Sequence, residues 1–164
     1  MIYVGNFKDW IDPNALDVML TFSGEKRPLE KELAQEKKIG TIEKWIESGY
    51  KLDHLSWEFY YSDHVGDLKP PIPITGKYKW WFSKLKPGEI FPLHVDSFPE
   101  EEIKITRYWM AMQDRLPGHI FCHNDIQLDY VAGDMYIFDE ARDWHGAANI
   151  GFIPKISYQL VVFD

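Results

Sequence analysis

His94-Val95-Asp96, His145 and Lys155 are the residues of this chain whose types and spacing could carry chemistry. His94 and Asp96 close a strand-like run over residues 90–95, and the two-residue period of a strand points both to one face. A neutral imidazole and a carboxylate on one face can take two adjacent positions on a metal. Two histidines and one carboxylate leave the opposite octahedral face open, the arrangement that lets Fe(II) hold a cosubstrate and O2 together. A lone His-x-Asp is also a common hydrogen-bonded surface pair, so the third ligand matters. It must come from a distant strand. His145 follows a turn at Ala132-Gly133-Asp134, an apolar run over 135–138 and a short loop ending in Trp144.

Ten residues beyond His145, Lys155 opens the last apolar run. A lysine entering a buried strand is costly unless something anionic meets it; the plainer alternative is a strand-end lysine that snorkels to solvent. Arg107 reads either as an outward strand arginine or as a contact for a carboxylate. His119 and His123 have a spacing that suits a metal only on a helix. Pro117-Gly118 just upstream favours a turn, which makes them rim residues. His54 and His64 read as ordinary polar positions.

As a set, His94-x-Asp96, the distal His145 and the cation ten residues on make the segment from Gly88 to Asp164 resemble the Fe(II)- and 2-oxoglutarate-dependent oxygenases. Lys86-Pro87-Gly88-Glu89-Ile90-Phe91 is similar to the lead-in of the prolyl 4-hydroxylase branch, as is lysine rather than arginine at 155. Leu85 stands where that branch often has a tyrosine. Arg107-Tyr108-Trp109, Ile137-Phe138-Asp139 and Trp144-His145-Gly146-Ala147-Ala148-Asn149 resemble aspartyl/asparaginyl hydroxylases and small phage-type oxygenases. The resemblance implies Fe(II) on His94, Asp96 and His145, with 2-oxoglutarate and O2 as cosubstrates. It implies that Lys155 holds the distal carboxylate of 2-oxoglutarate, and Arg107 is a candidate second contact. The implied reaction is hydroxylation of an amino-acid side chain in a protein or peptide, or of a small metabolite. Two other classes stay open. One is a cupin-like hydrolase or isomerase, since two histidines and an aspartate also bind Zn2+ with a water. The other is a non-catalytic β-barrel binding module using Trp80, Trp81 and Trp109.

The elements that would position these groups are mostly strands. Runs over 78–82, 90–95, 103–112, 135–138 and 156–163 are separated by turn signals, which predicts a sandwich or barrel. Trp57, Phe59 and Tyr61 alternate as on a half-buried strand, and Lys69-Pro70-Pro71-Ile72-Pro73 is a loop. The first part reads helical. Asp12-Pro13 caps a helix carrying Ala15, Leu16, Met19 and Leu20, Pro28 opens a second toward Lys38, and Thr41 opens a third with Ile42, Trp45 and Ile46 on one face and Gly49 at its end. The expected fold is mainly β with N-terminal helices: a double-stranded β-helix, jelly-roll or cupin-like, buttressed by helices. One domain over 1–164 is expected, with support in 1–76 and the motif-bearing barrel in 77–164.

With 164 residues the chain can bury a core unaided, and its 45% hydrophobic content is that of a globular protein. The formal net charge of −8 argues against a nonspecific nucleic-acid binder. Cys122 is the sole cysteine, which excludes an internal disulfide and thiolate-rich zinc sites. No secretory signal or membrane-length apolar run is visible, so a cytoplasmic location and a small-molecule or peptide partner are expected.

Overall fold

In the computed structural model, the residues described are 1–26, 41–49, 57–96, 104–140 and 143–163. The expected second helix over 28–38 lies outside them. Ten strands form two antiparallel sheets. In chain order the strands are β1 (Ile2–Asn6), β2 (Glu58–Tyr60), β3 (Lys77–Leu85), β4 (Ile90–His94), β5 (Ile105–Ala111), β6 (His119–His123), β7 (Ile126–Gln127), β8 (Asp134–Ile137), β9 (His145–Asn149) and β10 (Lys155–Phe163). The helices are α1 (Pro13–Thr21), α2 (Thr41–Glu47) and α3 (Ser62–Val65). No described helix is long and apolar enough to cross a membrane.

One sheet runs β1-β8-β5-β10-β3-β2 and the other β4-β9-β6-β7. From β3 to β6, and again from β7 to β10, consecutive strands alternate between the two sheets. That winding is a double-stranded β-helix, the expected fold. Its axis strand is β10, paired with β3 on one side and β5 on the other. All but the last of its nine residues are buried, because both its faces are covered. Ile156, Tyr158, Leu160 and Val162 point outward into a cluster with Phe82, Met110 and Met19, against which Trp10, Ile11 and Leu16 pack. The intervening Lys155, Ser157, Gln159 and Val161 point into the barrel, as a period of two requires.

α1 buttresses that outer face as the sequence suggests. Asp12 accepts from the Asn14 backbone N–H at 2.9 Å, Pro13 is the first helical residue, and Ala15 and Met19 are buried. α2 ends before Gly49, whose φ of +87° is a left-handed value that glycine adopts without strain. The expected apolar face of α2 holds only in part: Trp45 is buried, whereas Ile46 is 53% exposed.

Beside its helices the first half carries an edge strand, β1, which pairs with β8 at the edge of the larger sheet. One reading of this half needs correction. β2 is not half-buried: Glu58, Phe59 and Tyr60 are all inside, since α1 covers the face opposite the barrel interior. Glu58, a charged residue within this strand, is fully buried. It meets the Lys84 ammonium at 3.0 Å and also the Lys86 ammonium, while Tyr60 donates to it at 3.0 Å. Lys84 also donates to the Met19 and Phe22 carbonyls at 2.7 and 2.8 Å, so this ion pair fastens the C-terminal end of α1 to the sheet.

Burial pushes the Glu58 carboxyl up, but hydrogen bonds from Lys86, Lys84, the Gly24 amide and Tyr60 outweigh it and bring the group down to about 2. A depressed carboxylate stabilises fully above its unfolded value near 4.5 and loses that contribution as pH falls toward 2. Glu58→Gln should therefore reduce the unfolding free energy by about 3–5 kcal/mol at pH 7, the range for stranding one side of a buried ion pair. Urea unfolding at pH 7 and pH 3 checks this; the difference should shrink at the lower pH.

Candidate metal centre

β4 and β9 lie side by side, with His94 directly opposite His145. Gly146 permits this approach: a Cβ there would sit 2.9 Å from the Leu93 nitrogen and 3.0 Å from the Phe91 oxygen. The His94 and His145 ring centres are 4.2 Å apart and both side chains are buried. Asp96, just past the end of β4, folds back between them. Its Oδ1 is 3.2 Å from His94 Nε2 and its Oδ2 is 3.7 Å from His145 Nε2. His94 and Asp96, two positions apart, and His145, 49 positions or more beyond them, thus present one donor atom each within 4.8 Å of one another.

The ring orientations are fixed by backbone carbonyls. His94 Nδ1 is 2.8 Å from the Pro92 oxygen and His145 Nδ1 is 2.9 Å from the Asp143 oxygen. A carbonyl only accepts, so each Nδ1 carries the proton and each Nε2 of a neutral ring turns a lone pair inward. Neither Nε2 has a hydrogen bond among the described residues. Burial, then the nearby Arg107 and His94, hold the His145 pKa well below its ordinary value, which keeps that ring neutral. The two buried lone pairs converge on a carboxylate with no proton between either ring nitrogen and Asp96. A divalent cation satisfies all three, and the Nδ1–H···O=C bonds are the outer contacts that orient metal-binding histidines.

Around these groups the sequence places an aromatic wall. Trp57 stacks on Phe91 at 4.0 Å, Phe91 stacks on His94 at 3.9 Å, and Trp45 donates its indole N–H to the Leu93 carbonyl at 2.8 Å. Phe138 meets the rings of His145 and His123 edge-on, each at 5.2 Å. α2 therefore braces the strand that carries His94.

Arg107 reaches across the barrel from β5. Its Nη1 pairs with Asp96 Oδ2, its Nη2 donates to Gln159 Oε1 at 3.3 Å, and its Cζ lies 4.5 Å from the Phe138 ring centre. Burial pushes the Asp96 carboxyl up, but Arg107, then His145 and His94, outweigh it and hold it well below the usual carboxylate range. Arg107 is thus not an outward strand arginine.

Lys155 is not a snorkelling lysine either. It is 3% exposed, and its Nζ lies 5.3, 5.5 and 5.9 Å from the ring centres of Trp109, Phe121 and Tyr130. No carboxylate meets it among the described residues, and burial pushes its pKa down to about 7. Trp109 is two residues from Arg107 on β5, and Phe121 two from His123 on β6. These rings, stacked at 4.3 Å, line the interior between the metal group and Lys155.

His119 and His123 are not on a rim. Both point into the barrel from β6, His119 opposite Asn149 and His123 opposite His145. His119 Nε2 is 2.8 Å from the Ile153 carbonyl. His123 forms a second donor group with Asp139 and Asp143. In that group the Met1 amino nitrogen is 2.6 Å from Asp139 Oδ2 and 3.5 Å from His123 Nδ1, and His123 Nε2 is 3.0 Å from Asp143 Oδ2. His123 Nε2 is thus engaged by Asp143, whereas the Nε2 atoms of His94 and His145 have no hydrogen bond among the described residues. His64 lies on the short α3, with its Nδ1 2.9 Å from Asp63; His54 falls outside the described residues.

No protein-family profile matches the chain, and no curated protein does. Solved structures with similar arrangements include a conserved protein with a double-stranded β-helix domain from Klebsiella pneumoniae, at 22% identity over 54% of this chain and 69% of that one, with a TM-score of 0.39. A predicted oxalate decarboxylase from Thermotoga maritima is 18% identical over 52% of this chain and 65% of its own, with a TM-score of 0.40. A sugar phosphate isomerase of the cupin superfamily from Silicibacter pomeroyi is 14% identical over 67% and 60%, with a TM-score of 0.43. The chain spans less than two thirds of the latter two. On its own strand order, the protein is a cupin-like double-stranded β-helix with a candidate metal centre at His94, Asp96 and His145.

Proposed function

We propose that the chain is a mononuclear metal enzyme, and more finely an Fe(II)- and 2-oxoglutarate-dependent oxygenase acting on an amino-acid side chain or a small metabolite. The observation that carries the metal is the pair of Nε2 lone pairs, both fixed by backbone carbonyls and both aimed at Asp96. Two histidines and one carboxylate fill one face of an octahedral ion and leave the other for ligands. Support for 2-oxoglutarate comes from Lys155, an interior cation with no anionic partner among the described residues. Fe(II) held there would supply the oxidation of substrate by O2, coupled to decarboxylation of 2-oxoglutarate. The chain's own residues hold the ion, hold the far carboxylate and exclude water with Phe91, Trp109, Phe121 and Phe138.

A second reading is a cupin-like metal-dependent hydrolase or isomerase, in which the ion needs only a water and the substrate. It is favoured by the stacked Trp109 and Phe121, which occupy the interior that a chelating cosubstrate would share.

Anaerobic protein loaded with Fe(II) separates the two. One Fe(II) per chain is expected, lost in His94→Ala and in His145→Ala and retained in His119→Ala and His123→Ala. Admission of O2 with 2-oxoglutarate and ascorbate should then yield succinate, read by mass spectrometry. Metal bound without succinate formation favours the hydrolase or isomerase reading. Metal lost only in the His119 and His123 variants places the centre elsewhere.

A further inference from the structure

Arg107 does something at this centre that neither reading requires. Its guanidinium is buried, held by Gln159 on one side and by the Phe138 ring on another, and directed at one oxygen of Asp96. Gln159 lies across from Trp109 on the neighbouring β10, so two strands of the large sheet fix a guanidinium that reaches the carboxylate just past the end of β4. The oxygen it takes is Oδ2. Oδ1 is left facing the His94 Nε2 at 3.2 Å.

We propose that Arg107 is a positioning residue that confines Asp96 to single-oxygen coordination and makes the open face of the metal a site for anionic ligands. The inference rests on the metal reading. With Oδ2 committed to a guanidinium, Asp96 has one oxygen for the ion and cannot swing to chelate with both. That preserves a coordination position which a two-oxygen aspartate would fill. The charge follows from the same contact. Asp96 and Arg107 cancel, an imidazole nitrogen that binds a metal carries no proton, and a divalent ion therefore keeps its full double charge toward whatever enters. A site without Arg107 would present one charge fewer. In a water-poor interior a unit charge several ångströms away changes anion affinity by about tenfold or more.

The test uses Co(II) as the metal and azide as the anion, on the full chain. Wild type should take up one Co(II), and azide titration should perturb its visible d–d bands. Arg107→Met should still bind one Co(II) per chain, but with an altered d–d spectrum as Asp96 becomes two-oxygen, and with azide affinity reduced about tenfold or more. Arg107→Lys, which keeps the charge without the fork, should retain most of the azide affinity. Gln159→Leu, which frees one side of the guanidinium without touching the ligand, should shift the spectrum in the same direction by less. An Arg107→Met protein whose Co(II) spectrum and azide affinity match wild type overturns the proposal while leaving the metal reading intact. A wild type that binds no Co(II) overturns the metal reading itself.

Discussion

Lys155→Met should make the protein more stable at pH 6, by up to roughly 5 kcal/mol. Lys155 is 3% exposed among three aromatic rings, and burial alone brings its pKa from 10.5 down to about 7. At about 1.36 kcal/mol per pH unit that displacement corresponds to roughly 5 kcal/mol, an upper bound because interiors relax around a charge. The sign follows from proton binding. Below pH 7 both folded and unfolded chains carry the ammonium, and the folded state bears the whole cost of burying it. Between about 7 and 10.5 the unfolded chain holds the proton that the folded chain releases, so wild-type stability rises with pH across that window. Methionine has a similar length, no charge and a favourable sulfur–aromatic contact with Trp109, Phe121 or Tyr130. The variant's advantage should be greatest at pH 6 and shrink steadily toward pH 10. Urea unfolding of both proteins at pH 6, 8 and 9.5 checks it. A variant less stable than wild type at pH 6 would mean that the folded protein supplies Lys155 with an anion.

A residue kept at such a cost is best explained by function, because natural chains tolerate buried unpaired charge chiefly at sites that use it. The same logic separates Lys155 from Lys84. Both begin as lysines on apolar strands, but Lys84 meets Glu58 and two carbonyls whereas Lys155 meets only rings among the described residues.

Much of this architecture was legible in the chain. Glycine and proline punctuation delimited β3, β4, β5, β8 and β10 closely, because their alternation and apolar content are strong. β9 carries no local strand signal, since His145-Gly146-Ala147-Ala148-Asn149 contains no β-branched or large apolar residue; its pairing to β4 and β6 holds it. β6 reads as a turn for a related reason. His119 and His123 are polar residues on an inward face, and period-two reasoning assigns inward faces to apolar side chains. Tertiary context overrode the pattern. β1 and β2 join the sheet through long-range pairing that no local window reports. The candidate donor group of His94, Asp96 and His145 is legible because His94-x-Asp96 encodes its own face. Arg107 was named, but not its partner, since the contact with Asp96 spans the barrel. Trp45 is legible as part of a helix face and Phe91 as part of a strand, but not their packing beside His94. Asp143, whose backbone oxygen orients His145, sits two residues before it and matches the Pro92-x-His94 relation on β4, a regularity visible only once both carbonyls are seen to act alike.

The affinity for 2-oxoglutarate should depend steeply on pH, and Lys155 should be the reason. In the free protein Lys155 is half protonated near pH 7, because burial has pushed it down to about that value. A ligand carboxylate brought against the ammonium would restore the charged form, so binding above pH 7 must be accompanied by uptake of a proton. Affinity is then flat below 7 and falls about tenfold per pH unit above it, up to the raised pKa of the bound state. From pH 6.5 to 8.5 the loss should be roughly 20- to 30-fold. Lys155→Ala should bind at least about tenfold more weakly at pH 6.5, since a charge-assisted hydrogen bond contributes about 1.5–3 kcal/mol. It should also lose the pH dependence. Lys155→Arg stays charged throughout, so its curve should be flat as well, with part of the affinity kept. Titration calorimetry of anaerobic Mn(II)-loaded protein, run in two buffers with different heats of ionisation, measures affinity and proton uptake together. Tight wild-type binding with no proton uptake at pH 8 would place the distal carboxylate away from Lys155. Absence of 2-oxoglutarate binding by metal-loaded wild type at pH 6.5 would leave the hydrolase or isomerase reading of the same three ligands.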